Sequence, residues 1–498
     1  MDDRYYEVHP PKNPLAPILM TDALQGPATE ASFPLLAMQF ALRHLVRCTE
    51  FCLVCHSRVS TDFEALKPYV CSNPLCLYQY MSLGFGPSIE HEIVSLPTVV
   101  DLLVSFCYTS AKASKLKDFP VGMDLKVPSV NSQIWKVNYY GNKGEFLFDD
   151  ADNDMRPPLK EGDWIVIPVP GTASSEEWHA RITETCYYPT VKIAQPVGSQ
   201  LVGSKSTPGT SLNSVQGINS PSLSGKQTPD NSVSGGIFGA DDGEMKEVTF
   251  KIYDTSFDDL PDDEKRKTII NILNTLPRVA EMKEWLQKNT NVGDEASLRK
   301  WRARISPTAL GVLRWIIASN RSCIVPLDES EENPASGFLP VQGMGEWKQF
   351  RFAMGAPDKE QRFVSSVKQA HQRLNLQCKF HFEILHHFQA NQLVDPSLFA
   401  FHGSPLQNWH SIIREGLHFK ETAHGRAFGH GCYHSLDLGT SIGYSSVMPH
   451  GMSGQAAGYW PQSELKITTA LSLNEIVNSP NEFVSKVSFP NSFLEEQR

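Results

Sequence analysis

The chain has 498 residues, more than one hydrophobic core usually organises, so about two to four domains are expected. Its formal net charge of -10 and pI near 5.9 argue against broad electrostatic capture of nucleic acid or of an anionic membrane, and neither is expected as a partner. The first residues, MDDRYYEVHPPKNP, lack a secretory-signal pattern, and no apolar run approaches the roughly 20 residues that cross a bilayer. We therefore expect an intracellular protein, cytoplasmic or nuclear.

Residues 36–120, which follow an irregular segment at 1–35, combine helical apolar spacing with a cysteine-rich loop. In the loop, Cys52-x2-Cys55 is followed by Cys71-x4-Cys76. Two close pairs of thiolates joined by a loop suit a tetrahedral structural zinc. Four buried free thiols are the alternative, because the second spacing is wider than zinc sites usually have. Four thiolates leave a metal no open position, so catalysis at this loop is not expected.

Residues 121–190 have a different residue pattern. They contain short aromatic or β-branched runs, such as IWKVNYYG and DWIVIPVPG, separated by Gly, Asp and Pro, which predict a small antiparallel sheet or barrel. A scaffold or docking role is favoured for this module over ligand binding.

Residues 191–247 are rich in Ser, Gly, Pro and Thr and bury too little apolar surface to offset their chain entropy, so we expect a disordered linker there.

Residues 248–320 have the spacing of helices. The run DDEKRKTIINILNTLPRVAEMKEWLQKN is helical on either side of a break at Pro277, and its acidic start suits a helix N-terminus. The run SPTALGVLRWIIASN predicts a further helix, with Ser306 as its N-cap and Pro307 at its first position.

The last region, 321–498, holds most of the chemically informative residues. In LFAFHGSPLQNWHSIIREGL an apolar strand ends at His402 and Gly403, and helical spacing then runs until Gly416 closes the helix. A glycine at such a turn lets a ligand approach main-chain N–H and C=O groups closely. Strands are predicted at 380–388, 398–401 and 470–476.

A histidine-rich stretch, AFGHGCYHS, follows that helix. Its residues His430, Cys432 and His434 raise the hypothesis of a zinc hydrolase site, since alternate residues of an extended segment share a face. No carboxylate of the H-E-x-x-H type accompanies them, which makes this the least favoured hypothesis.

Two tyrosines bracket the next small-residue segment. Tyr444 follows Ser441 by three residues, so the two share one face of a helix, and Tyr433 lies eleven residues before Tyr444. Two rings and a hydroxyl can line one slot. A flat heteroaromatic amide fits it, with its ring stacked between the tyrosines and its carboxamide held by a glycine main chain and the serine. Nicotinamide is such a ligand.

These elements, FHGS, GHGCY and Ser441-x2-Tyr444, resemble the nicotinamide pocket of the diphtheria-toxin-like ADP-ribosyltransferases, the poly(ADP-ribose) polymerase family. The resemblance is stronger to its mono-ADP-ribosyltransferase branch with a cysteine-rich N-terminal region, through CLVC, LKPYVC, VVDLLVSFC and LRWIIASNRSCIV. It implies a multidomain α+β protein. A C-terminal ADP-ribosyltransferase split-sheet half-barrel, at 321–498, would follow the helices, the small β-rich module and the cysteine-rich region.

The resemblance also implies an activity and the residues for it. NAD would be the substrate, and a single ADP-ribose would pass to protein side chains with release of nicotinamide. His402 and Tyr433 would be the catalytic positions, with His402 on the adenine-side ribose. Gly403 and Ser441 would fix the carboxamide, and Tyr433 and Tyr444 would sandwich the ring. Fungal proteins of this kind often add a ubiquitin-conjugating domain, not found in this sequence, so the ubiquitin system is a further expected partner beside NAD and protein acceptors.

One catalytic position of the family finds no counterpart among these residues. It lies on a strand well after the one represented by ALSLNEIV, where the sequence offers no candidate, and Glu475 lies on the earlier strand and is not assigned. We therefore expect a catalytic domain truncated at its C-terminus. A catalytically inactive scaffold that keeps the NAD pocket is the alternative to an enzyme.

Overall fold

In the computed structural model of this protein, the described residues are 32–46, 51–57, 70–71, 73–83, 88–141, 143–149, 156–168, 177–198, 245–289, 297–320, 322–327, 341, 347–353, 397–417, 431–445 and 459–477. Helices and antiparallel strands both occur along the chain, which confirms the mixed α+β class. Among these residues no single helix is both long and apolar enough to cross a bilayer, and the one helix pair that meets the two criteria jointly is bent by 113°.

The cysteine-rich region is helical, as its apolar spacing predicts. It contains α1 (Phe33–Val46), α2 (Pro74–Ser82), α3 (Ile89–Ser95) and α4 (Pro97–Lys112). Side-chain caps begin two of these helices: Asn73 Oδ1 accepts from Leu75 N at 3.0 Å, and Ser88 Oγ accepts from His91 N at 3.2 Å. Helix α4 is buried along most of its length.

The β-rich module is a closed barrel. Its strands are β2 (Trp135–Tyr140), β3 (Glu145–Leu147), β4 (Trp164–Pro168), β5 (Glu177–Glu184), β6 (Thr190–Ile193) and β8 (Met245–Ile252), with the short β7 (Val197–Gly198) at the edge of β5. The order β4-β8-β2-β3-β6-β5 closes because β4 also pairs with β5, all antiparallel. Closure removes the unpaired edges that an open sheet of this size would expose.

The barrel extends beyond the boundaries expected from the sequence. Composition predicts the module at 121–190, the linker at 191–247 and a helical segment from 248. The structure takes β7 and part of β6 from the linker range, and β8 straddles the boundary between linker and helices. The pairing of β8 with β2 and β4 joins segments that are distant in sequence, and local patterning carries no signal for such a pairing. Residues 199–244 of the expected linker lie outside the described residues.

Small β1 (Lys126–Val127) and β9 (Thr255–Ser256) pair beside the barrel, and the helices of the next region follow. Helix α5 (Asp262–Thr275) ends before Pro277, and α6 (Val279–Lys288) begins after it, as predicted. Helix α7 (Pro307–Ala318) has Ser306 as its N-cap, whose Oγ accepts from Ala309 N at 3.0 Å. Those sequence predictions are confirmed.

The C-terminal region contributes two antiparallel strand pairs. One joins β10 (Cys323–Leu327) to β11 (Gln349–Ala353), and the other joins β12 (Ser397–Gly403) to β13 (Leu471–Val477). The predicted strands at 398–401 and 470–476 are confirmed, and the one at 380–388 lies outside the described residues. Between the two strands of the second pair come a 3-10 turn (Leu406–Asn408), α8 (Trp409–Glu415) and α9 (Leu438–Ser445).

One hydrophobic core unites the helices with this C-terminal region. It includes Ile93 of α3, Val104 of α4, Leu313 of α7, Trp409 of α8 and the fully buried Trp460. The barrel has a separate core of its own. The cysteine-rich helices, the 248–320 helices, α8 and the segment that leads into β13 are therefore packed together.

Candidate functional site

The candidate site lies where β12 ends. Apolar residues of this strand are buried, including Ala400 and Phe401, and the chain then turns into the 3-10 helix and α8. Helix α8 ends at Gly416, whose φ of 87° lies in the left-handed region that favours glycine. The sequence prediction of His402 and Gly403 at a strand-to-helix turn is confirmed.

The segment that follows Gly431 lies along the other edge of β12. Phe401 N donates to Ser435 O at 2.7 Å, and Ser435 N donates back to Phe401 O at 2.8 Å. This exchange places the predicted Tyr433 next to His402, whose Nδ1 is 2.8 Å from Tyr433 O. Burial lowers the pKa of His402 below its usual value, and the bond to the Tyr433 carbonyl offsets that only in part. His402 is therefore neutral at physiological pH.

Gly403 and Ser441 are in direct main-chain contact. A Cβ built on Gly403 would lie 1.9 Å from Ser441 O, so no residue with a side chain fits there without moving α9. Ser441 is buried, and its Oγ donates to Phe401 O at 3.1 Å. The hydroxyl of Ser445 donates to Ser441 O, also at 3.1 Å. Helix α9 thus packs tightly against the end of β12.

The side chains of the two predicted stacking residues are exposed to solvent. Tyr433 is 40% exposed, and Tyr444, three residues after Ser441 on α9, is 67% exposed. Exposed aromatic rings are suited to bind a planar ligand, because stacking removes their apolar faces from water.

Two further residues shape the site, and sequence patterns alone did not assign them a role. Asp437 begins α9: its Oδ2 accepts from both Thr440 N and Thr440 Oγ1 at 2.7 Å, and these hydrogen bonds lower the pKa of Asp437. Asp-x-x-Thr before a helical run was the available signal. The second is His434, which the sequence offers only as a member of the histidine-rich stretch; its ring centre lies 5.5 Å from that of His402.

The register of β12 and β13 bears on Glu475. His402 lies opposite Ser472, whereas Glu475 lies opposite Phe399. Facing residues of an antiparallel pair share a face, and successive residues along a strand point to opposite faces. Phe399 and His402 are three residues apart, so the Glu475 and His402 side chains project from opposite faces. Leaving Glu475 without a catalytic role agrees with this geometry.

The histidine-rich stretch supplies no metal-binding cluster within the part of the chain that the structure describes. His430 lies outside it, Cys432 Sγ is near Leu417 O, and His434 Nδ1 is near Cys432 O. In the described ranges the one group of metal-ligating side chains is the set of four cysteines.

That group, called the cysteine cluster below, consists of Cys52, Cys55, Cys71 and Cys76. Their four Sγ atoms lie within 4.8 Å of one another, and those of Cys55 and Cys71 are 3.7 Å apart. Zn–S bonds of about 2.3 Å in a tetrahedron place sulfurs about 3.8 Å apart. A disulfide needs about 2 Å, so these cysteines are free. The cluster can hold a metal ion.

Main-chain donors also point at the cluster. Cys52 Sγ accepts from Cys71 N at 3.3 Å and from Val54 N at 3.5 Å. Burial by itself raises the pKa of Cys55, but hydrogen bonds from Ser57 and from neighbouring thiols lower it to about 6. Burial instead raises the pKa of Cys71 and of Cys76, so the hydrogen bonds favour a thiolate at Cys55 and not at those two positions.

Comparison with known proteins points to the same part of the chain. The family model of the poly(ADP-ribose) polymerase catalytic domain matches residues 353–454. Protein mono-ADP-ribosyltransferase PARP8 of Mus musculus is 27% identical to this chain over 187 residues, and the alignment covers 37% of this chain and 18% of that protein. PARP8 of Homo sapiens has the same identity over the same length, and the alignment covers 17% of that protein. Protein mono-ADP-ribosyltransferase PARP16 of Mus musculus is 36% identical over 86 residues, 17% of this chain and 23% of that protein. The chain spans about a fifth of the length of these relatives.

Proposed function

Because this chain belongs to the poly(ADP-ribose) polymerase family, in its mono-ADP-ribosyltransferase branch, we propose that it transfers a single ADP-ribose from NAD to protein side chains and releases nicotinamide. The observation that carries the proposal is the junction of β12 and α9. There Gly403 touches the main chain of Ser441, and His402 is bonded to the main chain of Tyr433. Two pairs of the predicted residues are thus in contact, and Tyr444 lies about one helical turn after Ser441 on α9.

Each residue has a role that its surroundings support. Gly403 lies at the end of β12, where its main-chain N–H and C=O groups bind the nicotinamide carboxamide; the missing Cβ lets Ser441 of α9 lie against it. Ser441 donates its only proton to Phe401 O, so its oxygen accepts from the carboxamide N–H. Tyr433 and Tyr444 stack on the two faces of the ring. His402, neutral and held at Nδ1, binds a hydroxyl of the adenine-side ribose through Nε2.

The chemistry needs no covalent intermediate on the protein. The bond between the nicotinamide nitrogen and ribose C1′ breaks, nicotinamide leaves with the electron pair, and the ribose becomes oxocarbenium-like. A lone pair of the acceptor side chain attacks C1′ and loses its proton to solvent or a nearby base. The protein contributes orientation and strain, which bring the reacting atoms into line.

Transfer of label from NAD tests the proposal. The full chain is incubated with labelled NAD and an acceptor protein extract, beside His402→Ala and Tyr433→Ala. The matched controls are His91→Ala and Tyr187→Ala, exposed residues far from the junction. We expect transfer by the unsubstituted chain and both controls, and its loss in both site variants. Equal transfer by all five proteins would contradict the proposed site.

An inactive scaffold that keeps the NAD pocket is the second candidate function. NAD binding, measured by calorimetry on the same proteins, separates the two. Binding without transfer favours the scaffold, whereas binding together with transfer favours the enzyme.

We also propose that the cysteine cluster holds a structural zinc ion. Four sulfurs within 4.8 Å of one another are enough to fill the coordination sphere of zinc, and helix α2 carries one ligand into the shared core, where Cys76 is buried. The ion would tie residues 51–57 to α2. Such a thiolate site suits a reducing compartment, in keeping with a cytoplasmic or nuclear location.

Metal analysis tests the zinc proposal. We expect one zinc per purified chain, lost in Cys52→Ser and Cys71→Ser and retained in Cys186→Ser and Cys323→Ser, which change exposed cysteines elsewhere. A chain without stoichiometric metal after purification with zinc present would overturn it.

Protein acceptors and the ubiquitin system are the partners that we propose from family membership; identifying labelled acceptors by mass spectrometry tests both.

A further inference from the structure

The two histidines of the candidate site have the same hydrogen-bonding arrangement. His402 Nδ1 is 2.8 Å from Tyr433 O, and His434 Nδ1 is 3.2 Å from Cys432 O. A carbonyl oxygen only accepts, so in both rings Nδ1 carries the proton. Each Nε2 of a neutral ring is then a hydrogen-bond acceptor.

The rings are also neighbours with fixed positions. Their centres are 5.5 Å apart, with planes inclined by 54°. The segment that carries His434 is anchored one residue later by the two main-chain hydrogen bonds between Ser435 and Phe401. His402 is fixed by the pairing of β12 with β13. Neither ring needs to reorder when a ligand arrives, which lowers the entropic cost of binding.

Both imidazoles are neutral. Burial lowers the pKa of His402 and of His434, and the neighbouring His402 ring lowers the pKa of His434 further. Two adjacent neutral acceptors bind a ligand that brings two adjacent donors. A vicinal diol is such a ligand, because its hydroxyls each donate one hydrogen bond of about 2.8 Å in slightly different directions.

We propose that His434 is a second ribose-binding residue: its Nε2 accepts a hydrogen bond from one hydroxyl of the adenine-side ribose while His402 accepts from the other. The inference rests on the proposed NAD site and adds a specificity to it. The pair selects an unmodified cis-diol. A 2′-phosphate offers no proton at neutral pH and brings negative charge against two acceptors, so NADP is excluded.

Binding of deoxy analogues to the full chain tests this. NAD, 2′-deoxy-NAD and 3′-deoxy-NAD, altered on the adenine-side ribose, are titrated against the unsubstituted chain, His402→Ala, His434→Phe and His434→Gln. Phenylalanine keeps a planar ring without an acceptor, and glutamine restores an acceptor near the position of Nε2. Leu436→Ala, an exposed neighbour, is the matched control.

For the unsubstituted chain we expect each missing hydroxyl to weaken binding about tenfold, the effect of one hydrogen bond. His434→Phe should weaken NAD about tenfold and abolish discrimination against one deoxy analogue while keeping it for the other. His402→Ala should do the reverse, His434→Gln should restore most of the discrimination, and Leu436→Ala should change nothing.

The outcomes separate this inference from the proposed function. If the unsubstituted chain binds NAD but His434→Phe keeps full discrimination against both analogues, or loses affinity equally for all three ligands, His434 is not a ribose-binding residue and the NAD site stands. If the unsubstituted chain binds no NAD, both fall. Circular dichroism of each variant guards against misfolding, and if His434→Phe misfolds, His434→Gln and the analogue series decide the question.

Discussion

The barrel and the candidate site are both antiparallel β-structure, yet they are stabilised in different ways. The barrel closes on itself and buries its own core, in which Phe146 and Phe250 are fully buried with ring centres 5.5 Å apart. The pair β12–β13 is a two-stranded sheet in the described chain, extended only by the bridge of Ser435 to β12, and so small a sheet is marginal in water. The barrel is held by its own strands, whereas the site is held by distant helices.

Helix α4 provides much of that support. Phe106 stacks on Trp409 of α8 with ring centres 6.1 Å apart. Nearer the start of α4, the buried carboxylate of Asp101 accepts from Ser463 Oγ at 2.5 Å and from Glu464 N at 2.7 Å. Those residues lie shortly before β13, so α4 of the cysteine-rich region fixes the strand that pairs with the His402 strand.

The largest effect is therefore expected from Asp101. Asp101→Ala removes one acceptor shared by several donors and leaves them unpaired in the core; a loss of about 3–5 kcal/mol in the stability of the site strands follows. Hydrogen exchange resolved by mass spectrometry should show faster exchange in β12, β13 and α9 and unchanged exchange in the barrel.

Two variants sharpen this measurement. Asp101→Asn keeps an acceptor oxygen and should lose less, and Glu247→Ala, an exposed acid of β8, should change stability by about 0.5 kcal/mol or less. Exchange that rises equally in the barrel and the site strands after Asp101→Ala would show that the two regions are not independent.

Gly403 gives the next largest effect. The Cβ in Gly403→Ala would lie 1.9 Å from Ser441 O, a clash with main chain that only a shift of α9 relieves. We expect a loss of about 2 kcal/mol, in the range of overpacked sites, and at least a roughly tenfold weaker NAD affinity by calorimetry.

Gly443→Ala is the matched control, since a Cβ at that position meets nothing within 4 Å. It lies within α9, where alanine is the better helix former, so stability should rise by up to about 1 kcal/mol. Unchanged NAD affinity in Gly403→Ala would mean that the junction of β12 and α9 does not form the pocket.

The sequence revealed local features of both regions and missed the long-range ones. Three local features were predicted because each depends on a few neighbouring residues. They are the turn at His402 and Gly403, the cap at Ser306 and the shared helix of Ser441 and Tyr444. The pairing of β8 with β2 was not, because register between distant strands depends on a barrel that local periodicity does not describe.

Asp101 is an intermediate case. A single carboxylate inside the apolar run PTVVDLLVSFCY indicates a buried acid that needs hydrogen-bond donors, and the sequence alone carries this signal. Its partners at Ser463 and Glu464 lie more than 360 residues away, and only the folded chain brings them together. The split-sheet half-barrel expected for residues 321–498 stays a prediction, since the described strands of this region form two separate pairs.

Acid should destabilise the region around the candidate site, because it protonates His410 of α8 in the unfolded chain. This fully buried ring is 3.3 Å, through Nε2, from Arg414 Nη1, and burial, helped by the Arg414 charge, holds the pKa of His410 well below its usual value. The unfolded chain protonates near pH 6.5, so the stabilisation is complete above that pH and is lost as pH falls below it, by about 1.4 kcal/mol per pH unit.

Urea denaturation at pH 7.5, 6.5 and 5.5 measures that slope. His410→Gln keeps an acceptor for Arg414 and cannot titrate, so its slope should be smaller, whereas His91→Gln, at an exposed position of α3, should match the unsubstituted chain. Identical slopes in all three proteins would place the acid-sensitive group outside α8.

The smallest effect belongs to the barrel and should leave the site untouched. Tyr253, directly after β8, has its hydroxyl 2.6 Å from Nδ1 of the buried His179 on β5. Tyr253→Phe removes this bond and should cost the barrel about 1 kcal/mol, while Tyr140→Phe, whose hydroxyl contacts Met245 Sδ at the surface, should cost less. NAD affinity should be the same in both variants as in the unsubstituted chain, because neither hydroxyl contacts the residues that support β12. A weaker NAD affinity in Tyr253→Phe alone would show that the barrel, whose Glu177 accepts a hydrogen bond from Asn271 of α5 at 2.8 Å, also holds the site in place.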